Sequence, residues 1–374
     1  TGDVTFGNIV GGATYTATNG ALGAVTLVSA TNVGINAAFT AASLTQQAGS
    51  GTTTIGGATT LTGALGFAGG NLVINAAVGA GGAVSFTGSA LTVNAAVTAG
   101  GAVTVANTGT FTTSATGDIN ATGAFTQSGA GANSLAGNVS LTLDSAALSF
   151  ATAVTLTGNV VFSTTNGAAT FAEVVDGTAD NDQNLTLNAG TGVVTFAKAL
   201  GAVKKLGDVV ANSTGATKFQ GAVLAKSLTT NAGGSTELSA DVTTTAAQSF
   251  GDALSLKNNI ILSGTDITLA QTVNSDAALT KRTLQVTGSG VTTFGGIVGG
   301  TAELASLTVD GGGTTLLNAG AVTTAGVQSY TDALTLGANT ALVTTNSNVS
   351  FTSTLNSSEA LATAGTPAPA TLSI

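Results

Sequence analysis

The stretch from Asn71 to Asn107 says one thing twice, and that repetition limits the fold more than any other feature of the chain. NLVINAAVGAGGAVSFTGSA runs directly into LTVNAAVTAGGAVTVANT. Asn75 returns as Asn94, Val78 as Val97, Val84 as Val103 and Phe86 as Val105, all at one spacing. Within a copy, two short alternating runs (Leu72–Ile74 with Ala76–Val78, then Ala83–Phe86) are broken by a Gly corner. Alternation sends every second side chain to the same side of an extended chain. A fixed period of about 19 residues with Gly corners reads as one coil of a parallel β-solenoid, each coil stacked on the last. The signature also stands upstream as Ile35-Asn36-Ala37-Ala38-Phe39, where Asn36 precedes Asn75 by close to two such coils.

Composition agrees with that fold. The 374 residues include 53 Gly but only 2 Pro, so the backbone can turn corners while its ladder donors stay intact. Hydrophobic residues make up 43% and charged residues 7%, which excludes a chain kept unfolded by charge. Cys, Met, Trp and His are absent, so cohesion must come from stacked backbone rather than from disulfides. Low charge with abundant Thr, Asn, Ser and Gly suggests an extracellular surface protein. No apolar run approaches the ~18 residues of a membrane helix. A membrane barrel calls for aromatic girdles, which 14 Phe, 2 Tyr and no Trp do not supply. Residues 1–197 hold no Lys or Arg and seven acids, whereas all eight cations fall between Lys198 and Arg282. A net charge of −9 without a basic cluster argues against nucleic acid as a partner.

Taken in order, residues 1–170 are short coils cornered by Asn and Gly, and residues 171–374 carry a longer internal repeat; together they read as one continuous solenoid over 1–374. LTLNAGTGVVTF (Leu185–Phe196) returns as LQVTGSGVTTF (Leu284–Phe294). Gln248-Ser249-Phe250-Gly251-Asp252-Ala253-Leu254 returns further on as Gln328-Ser329-Tyr330-Thr331-Asp332-Ala333-Leu334. The step from Phe196 to Phe250 exceeds the step from Phe294 to Tyr330 by about 18 residues, one coil. Copies that differ by one coil are what stacking register demands of an insertion. With roughly 18–20 residues per coil the chain would make about 19–20 coils, a rod of about 90–95 Å at ~4.8 Å per coil. Asn36, Asn75 and Asn94, in one phase, are expected to stack as a buried amide ladder at a bend.

The two ends of the sequence resemble an internal junction. Thr371-Leu372-Ser373-Ile374 followed by Thr1-Gly2-Asp3-Val4-Thr5-Phe6-Gly7-Asn8-Ile9-Val10-Gly11-Gly12 matches Thr283–Gly300, with a gap of two. The expected partner is therefore another copy, head to tail through Thr1–Phe6 and Thr371–Ile374, whether many such units are fused in one giant chain or separate subunits stack end to end by strand addition. The alternative is an arbitrary cut between two coils.

Catalytic chemistry is hard to find in this composition. Without His or Cys there is no Ser-His-Asp triad, no thiol nucleophile and no ordinary zinc site. The acidic run Asp176-Gly177-Thr178-Ala179-Asp180-Asn181-Asp182 reads as a solvated turn, with a weak calcium site as the alternative. Lys204-Lys205 and Lys281-Arg282 read as solvated loop charges. Thr243-Thr244-Thr245 raises an ice-binding face, against which the Thr positions drift between faces. No catalytic, cofactor-binding or metal residue is assigned, no cofactor is expected, and the chain is not expected to be an enzyme; a polysaccharide-acting enzyme is the weakest alternative.

The phrases GTGVVTF, GSGVTTFGGIVGGTAELASLTV, LNAGAVTTAGVQSYTDALTLGANTAL and the INAAV coils resemble the repeat regions of giant bacterial surface exoproteins of the filamentous-haemagglutinin class. That resemblance implies an all-β, single-stranded right-handed parallel β-helix, and a secreted stalk or fibre on a bacterial cell surface. The function expected is thus structural, an extracellular β-solenoid unit that continues into the next. An adhesive or carbohydrate-contacting segment of a large secreted adhesin, with surface glycans as partners, is the alternative.

Overall fold

In the computed structural model, residues 2–7, 21–358 and 370–374 are described. They form an all-β parallel solenoid of about 17 turns, with no helix. The chain divides into two compact units, Thr1–Thr178 with Gln183–Gly192, and Ala179–Asp182 with Val193–Ile374. The expectation of about 19–20 coils was too high because the turns are not uniform. Leu65 is stacked by Val84 and Val84 by Val103, which keeps the short period read from the repeat. Val160 is stacked by Leu185 and Ile267 by Thr292, steps longer by about a third. The extra residues are spent in corner loops, which lengthen a turn without adding one.

Over residues 52–171 each turn carries three strands, not the two runs expected, and in the turn before them Phe39–Gln46 spans two of the faces as one strand. Asn71–Ile74, Val78–Ala80 and Val84–Gly88 make one turn; Leu91–Val93, Val97–Ala99 and Val103–Asn107 make the next. Leu72 pairs with Leu91, Val78 with Val97 and Val84 with Val103, all parallel. Ala76 and Ala77 do not continue a strand. The N–H groups of Asn75 and Ala76 both donate to the Ile55 carbonyl, at 2.8 and 3.1 Å, and that shared acceptor turns the chain. One of the three resulting ladders is nine strands deep, from Val4–Phe6 to Val175–Asp176.

Every second residue of these strands points inward, and the inward set is apolar: Leu72, Ile74, Val78, Val84 and Phe86 are at most 7% exposed. Each such side chain contributes about 1.5–3 kcal/mol by leaving water, so a shift by one residue would forfeit a whole column. Rings stack turn on turn, Phe67 on Phe86 at 5.3 Å and Phe150 on Phe171 at 5.5 Å. At one corner the stacking is backbone on backbone: Gly82 N–H donates to Gly63 O (3.0 Å), Gly101 to Gly82 (3.1 Å) and Gly123 to Gly101 (3.0 Å). A Cβ on Gly101 would lie 2.9 Å from the Ala83 nitrogen, so the column admits only hydrogen there.

The second unit uses the same three-faced turn. Val223–Thr230 bends across two faces, its front pairing with Val242–Thr244 and its back with Gln248–Phe250. One ladder then runs through Gln248–Phe250, Ile267–Leu269, Val291–Phe294, Thr314–Leu317, Ala333–Leu336 and Leu355–Ser357. A second runs through Ile260–Gly264, Thr283–Gly288, Ser306–Asp310, Gln328–Tyr330 and Val349–Phe351. Phe196 to Phe250 covers two turns and two faces; Phe294 to Tyr330 covers one turn and two faces. The copies differ by a whole turn, as register requires. Yet QSFGDAL and QSYTDAL begin on different ladders, because faces built from the same alternating residues are interchangeable.

Candidate functional site

The repeated phrase QSFGDAL/QSYTDAL is a pair of backbone clamps. Gln248 and Gln328 occupy inward, apolar-phase positions and are 1% and 0% exposed. Gln248 Nε2 donates to Val242 O (3.2 Å), Thr244 Oγ1 (3.3 Å) and Ser263 O (2.8 Å). Gln328 Nε2 donates to Val322 O (3.0 Å), Thr324 Oγ1 (3.3 Å) and Val343 O (2.9 Å), the same three positions one repeat on. Each amide thus ties its own corner to the following turn. The two copies differ at the carbonyl end: Tyr330 OH donates to Gln328 Oε1 at 3.2 Å, whereas beside Phe250 the Gln248 Oε1 has no partner. Burial pushes the Tyr330 hydroxyl well above the usual phenol range, so it remains a donor.

The aspartate of each phrase clamps the preceding turn. Asp252 Oδ1 accepts Gly234 N–H at 2.8 Å and its Oδ2 accepts Thr236 Oγ1–H at 3.2 Å; Asp332 Oδ1 accepts Gly312 N–H at 3.0 Å. Burial raises the pKa of both carboxyls, outweighing the hydrogen bonds that lower it. The first unit has its own interior amide network. Gln127 Nε2 donates to Asn107 Oδ1 (2.9 Å) and Gly129 O (2.8 Å), while its Oε1 accepts Ala151 N–H (3.1 Å) and Thr152 N–H (3.3 Å). Sequence reasoning missed these glutamines. The available signal was the recurrence of Gln248 as Gln328 inside a repeated phrase.

The expected asparagine ladder forms only in part, and it is not buried. Asn94 Nδ2 donates to Asn75 Oδ1 at 2.8 Å, but Asn36, Asn75 and Asn94 are all exposed. Gly56 stands in the turn between Asn36 and Asn75 and offers no amide, so the column is interrupted. Position at the outside of a bend, rather than burial, is what the shared phase records.

The charged motifs are occupied by one another. Lys204 Nζ lies 3.8 Å from Asp180 Oδ2, and Asp180 Oδ1 accepts Lys205 N–H at 2.9 Å. Lys281 Nζ lies 2.7 Å from Glu303 Oε1; Arg282 Nε and Nη2 reach the two oxygens of Asp276 at 2.9 and 3.4 Å. That guanidinium holds the Asp276 carboxyl below the usual carboxylate range. Lys204, Lys281 and Arg282 are therefore ion-paired, not merely solvated. Lys218 and Lys257 flank Glu237 at 3.9 and 3.8 Å, a charge column on stacked turns.

In the Asp176–Asp182 run, Asp176 is buried within the strand Val175–Asp176, and Gln183 Oε1 accepts Thr178 N–H at 2.8 Å. No three acidic side chains gather as a metal would require among the described residues. In the Thr243–Thr245 run, Thr244 points inward, and outward Thr243 is flanked by Leu224 and Ser263 rather than by a rank of threonines. The groove of about 460 Å³ over Ala48, Gly69, Thr87, Ser89 and Thr108 has no ionisable side chain in its lining.

Among the described residues, Val4–Phe6 and Leu372–Ser373 are each paired on one side. Val4–Phe6 lies on Val33–Ile35, and Leu372–Ser373 lies on Thr340–Ala341. Thr1 and the Asn8–Gly12 part of the head-to-tail match lie outside the described residues. No helix of the described residues is long and apolar enough to cross a membrane. Comparison with protein-family models, curated proteins and solved structures returns no match.

Proposed function

We propose that the chain is structural: a unit of a bacterial surface fibre or stalk, displayed outside the cell, that continues end to end into the next unit. A parallel β-solenoid of this kind suits a structural or adhesive repeat protein. It does its work through stacked backbone, not through a catalytic centre. The observation that carries this reading is where the buried polar side chains are spent. Gln248, Gln328, Asp252 and Asp332 all bind main-chain groups of neighbouring turns. Buried amides and carboxylates cost free energy unless paired, and here the pairing fastens turn to turn. The absence of Cys and a charged fraction of 7% fit a surface exposed to oxidants and solvent. Resemblance of the coil phrases to giant exoprotein shafts points the same way.

Electron microscopy of negatively stained protein across a concentration series tests the fibre. Uniform filaments that lengthen with concentration are expected; particles of one fixed length at every concentration would overturn it. Immunolabelling of intact, unpermeabilised source cells tests location, with surface label expected. Label appearing only after permeabilisation would refute it.

A further inference from the structure

The loop that each buried aspartate clamps is built twice at equal length, as Asn231-Ala232-Gly233-Gly234 and as Asp310-Gly311-Gly312-Gly313. The flanking strands fix that alignment. Thr230 pairs with Phe250 and Thr236 with Leu254, as Val309 pairs with Tyr330 and Thr315 with Leu334. Yet the two loops meet their carboxylates one residue apart. Asp252 takes the N–H of Gly234, the last residue of its loop, and the hydroxyl of Thr236. Asp332 takes the N–H of Gly312, the last but one, and its Oδ2 has no partner. Thr315 Oγ1, the counterpart of the hydroxyl that Asp252 holds, is also without a partner. Thr315 is 1% and Asp332 4% exposed, so a donor and an acceptor that are bonded in one copy are buried unpaired in the other.

Unpaired buried groups cost free energy, so something must hold the second loop away from the arrangement of the first. Two differences do so. Asp310 Oδ1 accepts the Thr287 hydroxyl at 2.9 Å and its Oδ2 accepts Gln285 Nε2–H at 3.2 Å, both from the strand of the preceding turn. The counterpart Asn231 instead accepts Ser213 N–H at 2.8 Å. Gly311, moreover, has a φ of +125°, a region that favours glycine, whereas its counterpart Ala232 is not at positive φ. A Cβ on Gly311 as it stands would lie 2.6 Å from both the nitrogen and the oxygen of Gly288. Gly311 therefore permits the observed arrangement, and the Asp310 carboxylate holds it.

We propose that the Asp310–Gly313 loop is a catch with two positions between turns. In the first, Gly312 N–H lies on Asp332, as observed. In the second, the loop moves one residue along the carboxylate: Gly313 N–H and the Thr315 hydroxyl close on Asp332, and residue 311 takes the ordinary φ of Ala232. The grip of Asp310 on Thr287 and Gln285 selects the first position; releasing it gives the second, in which the two turns are fastened by one more hydrogen bond. The catch acts within the second unit and is independent of any end-to-end assembly.

Urea midpoints of the full chain test it through double-mutant cycles. In the parent, Thr315→Val removes an unpaired hydroxyl and should leave the midpoint unchanged or raise it, whereas Thr236→Val should lower it. In a Gly311→Ala background, or an Asp310→Asn background that restores the side chain of Asn231, Thr315→Val should instead lower the midpoint, as Thr236→Val does. Hydrogen exchange on glycine-labelled protein gives a second reading, with protection passing from the Gly312 amide in the parent to the Gly313 amide in both variants. The same Thr315→Val effect in all three backgrounds, with protection staying on Gly312, would overturn the catch. Failure of Gly311→Ala to fold would also overturn it, because the second position accepts a Cβ there. So would a loss from Thr315→Val in the parent equal to that from Thr236→Val, since the hydroxyl would then already be engaged.

Discussion

Replacing Tyr330 by Phe removes one oxygen from the interior and leaves Gln328 Oε1 as Gln248 Oε1 already is beside Phe250, without a donor. The expected loss is about 0.5–1.5 kcal/mol, read as a lower denaturant midpoint at unchanged slope. Phe250→Tyr should raise the midpoint by a similar amount, since the homologous site accepts the hydroxyl; an equal loss in both variants would show that the bond carries no weight. Asp332 gives a prediction with a pH sign. Burial raises its folded pKa above 3.8, so the folded state binds more protons than the unfolded chain in the window from 3.8 up to the raised value. Its contribution to stability therefore improves as pH falls through that window. Asp332→Asn keeps an acceptor for Gly312 N–H and should be at least as stable as the parent at pH 7, with the advantage shrinking toward pH 4. An advantage that grows on acidification would contradict the sign. These side chains were poorly legible in the sequence. Gln328 stands at an apolar phase, where a polar letter reads as the end of a strand; its partners are backbone carbonyls, which no sequence pattern displays. Asn75 and Asn94 were legible as a stacked pair, but their exposure depends on which way the bend turns.

At the scale of strands and corners, the short period was legible because stacked turns must keep inward residues in column, as Val84 and Val103 do. The third strand of the turn was not, since Val78–Ala80 is only three residues long and Ala76-Ala77 before it look like its continuation. Nor was the shift of Gln328–Tyr330 to the neighbouring face, which depends on how many residues each corner absorbs. One corner recurs across the longer repeat in an unusual backbone state. Gly201 and Gly299 have φ of +70° and +71°, and a side chain on either would collide with a main-chain oxygen, of Leu224 and Thr323 respectively. Leu200 and Val298 beside them bridge to Val223 and Val322. Gly299→Ala meets both the left-handed strain, about 1–2 kcal/mol, and that collision. It should lower the melting temperature measurably, whereas Gly312→Ala, with φ of +79° but open space around it, should cost only the strain. Equal losses would mean that the Thr323 carbonyl gives way freely.

For the molecule as a whole, the placement of cations makes resistance to trypsin a sharp measure of how firmly the turns are stacked. Cleavage sites occur only between Lys198 and Arg282. A protease needs several residues of backbone free of their ladder, so opening free energy, not side-chain exposure alone, sets the rate. Lys218 and Lys226 lie within Ala216–Phe219 and Val223–Thr230, strands that are paired with neighbours through their main chain. Lys204-Lys205 and Lys281-Arg282 instead follow loops that project Val203, 79% exposed, and Leu279, 99% exposed. Their ion pairs with Asp180, Glu303 and Asp276 offer little protection, since exposed pairs are worth about 0–1 kcal/mol, far less than unpairing a strand. Limited trypsin digestion followed by intact-mass measurement should therefore yield first cuts after Lys204 or Lys205 and after Lys281 or Arg282. A fragment ending at Lys198, Lys204 or Lys205 should then persist, because residues 1–197 offer trypsin no site. Early cuts after Lys218 or Lys226, at rates matching the loops, would show that these ladders open readily, and a solenoid whose turns open readily could not serve as a shaft that bears tension.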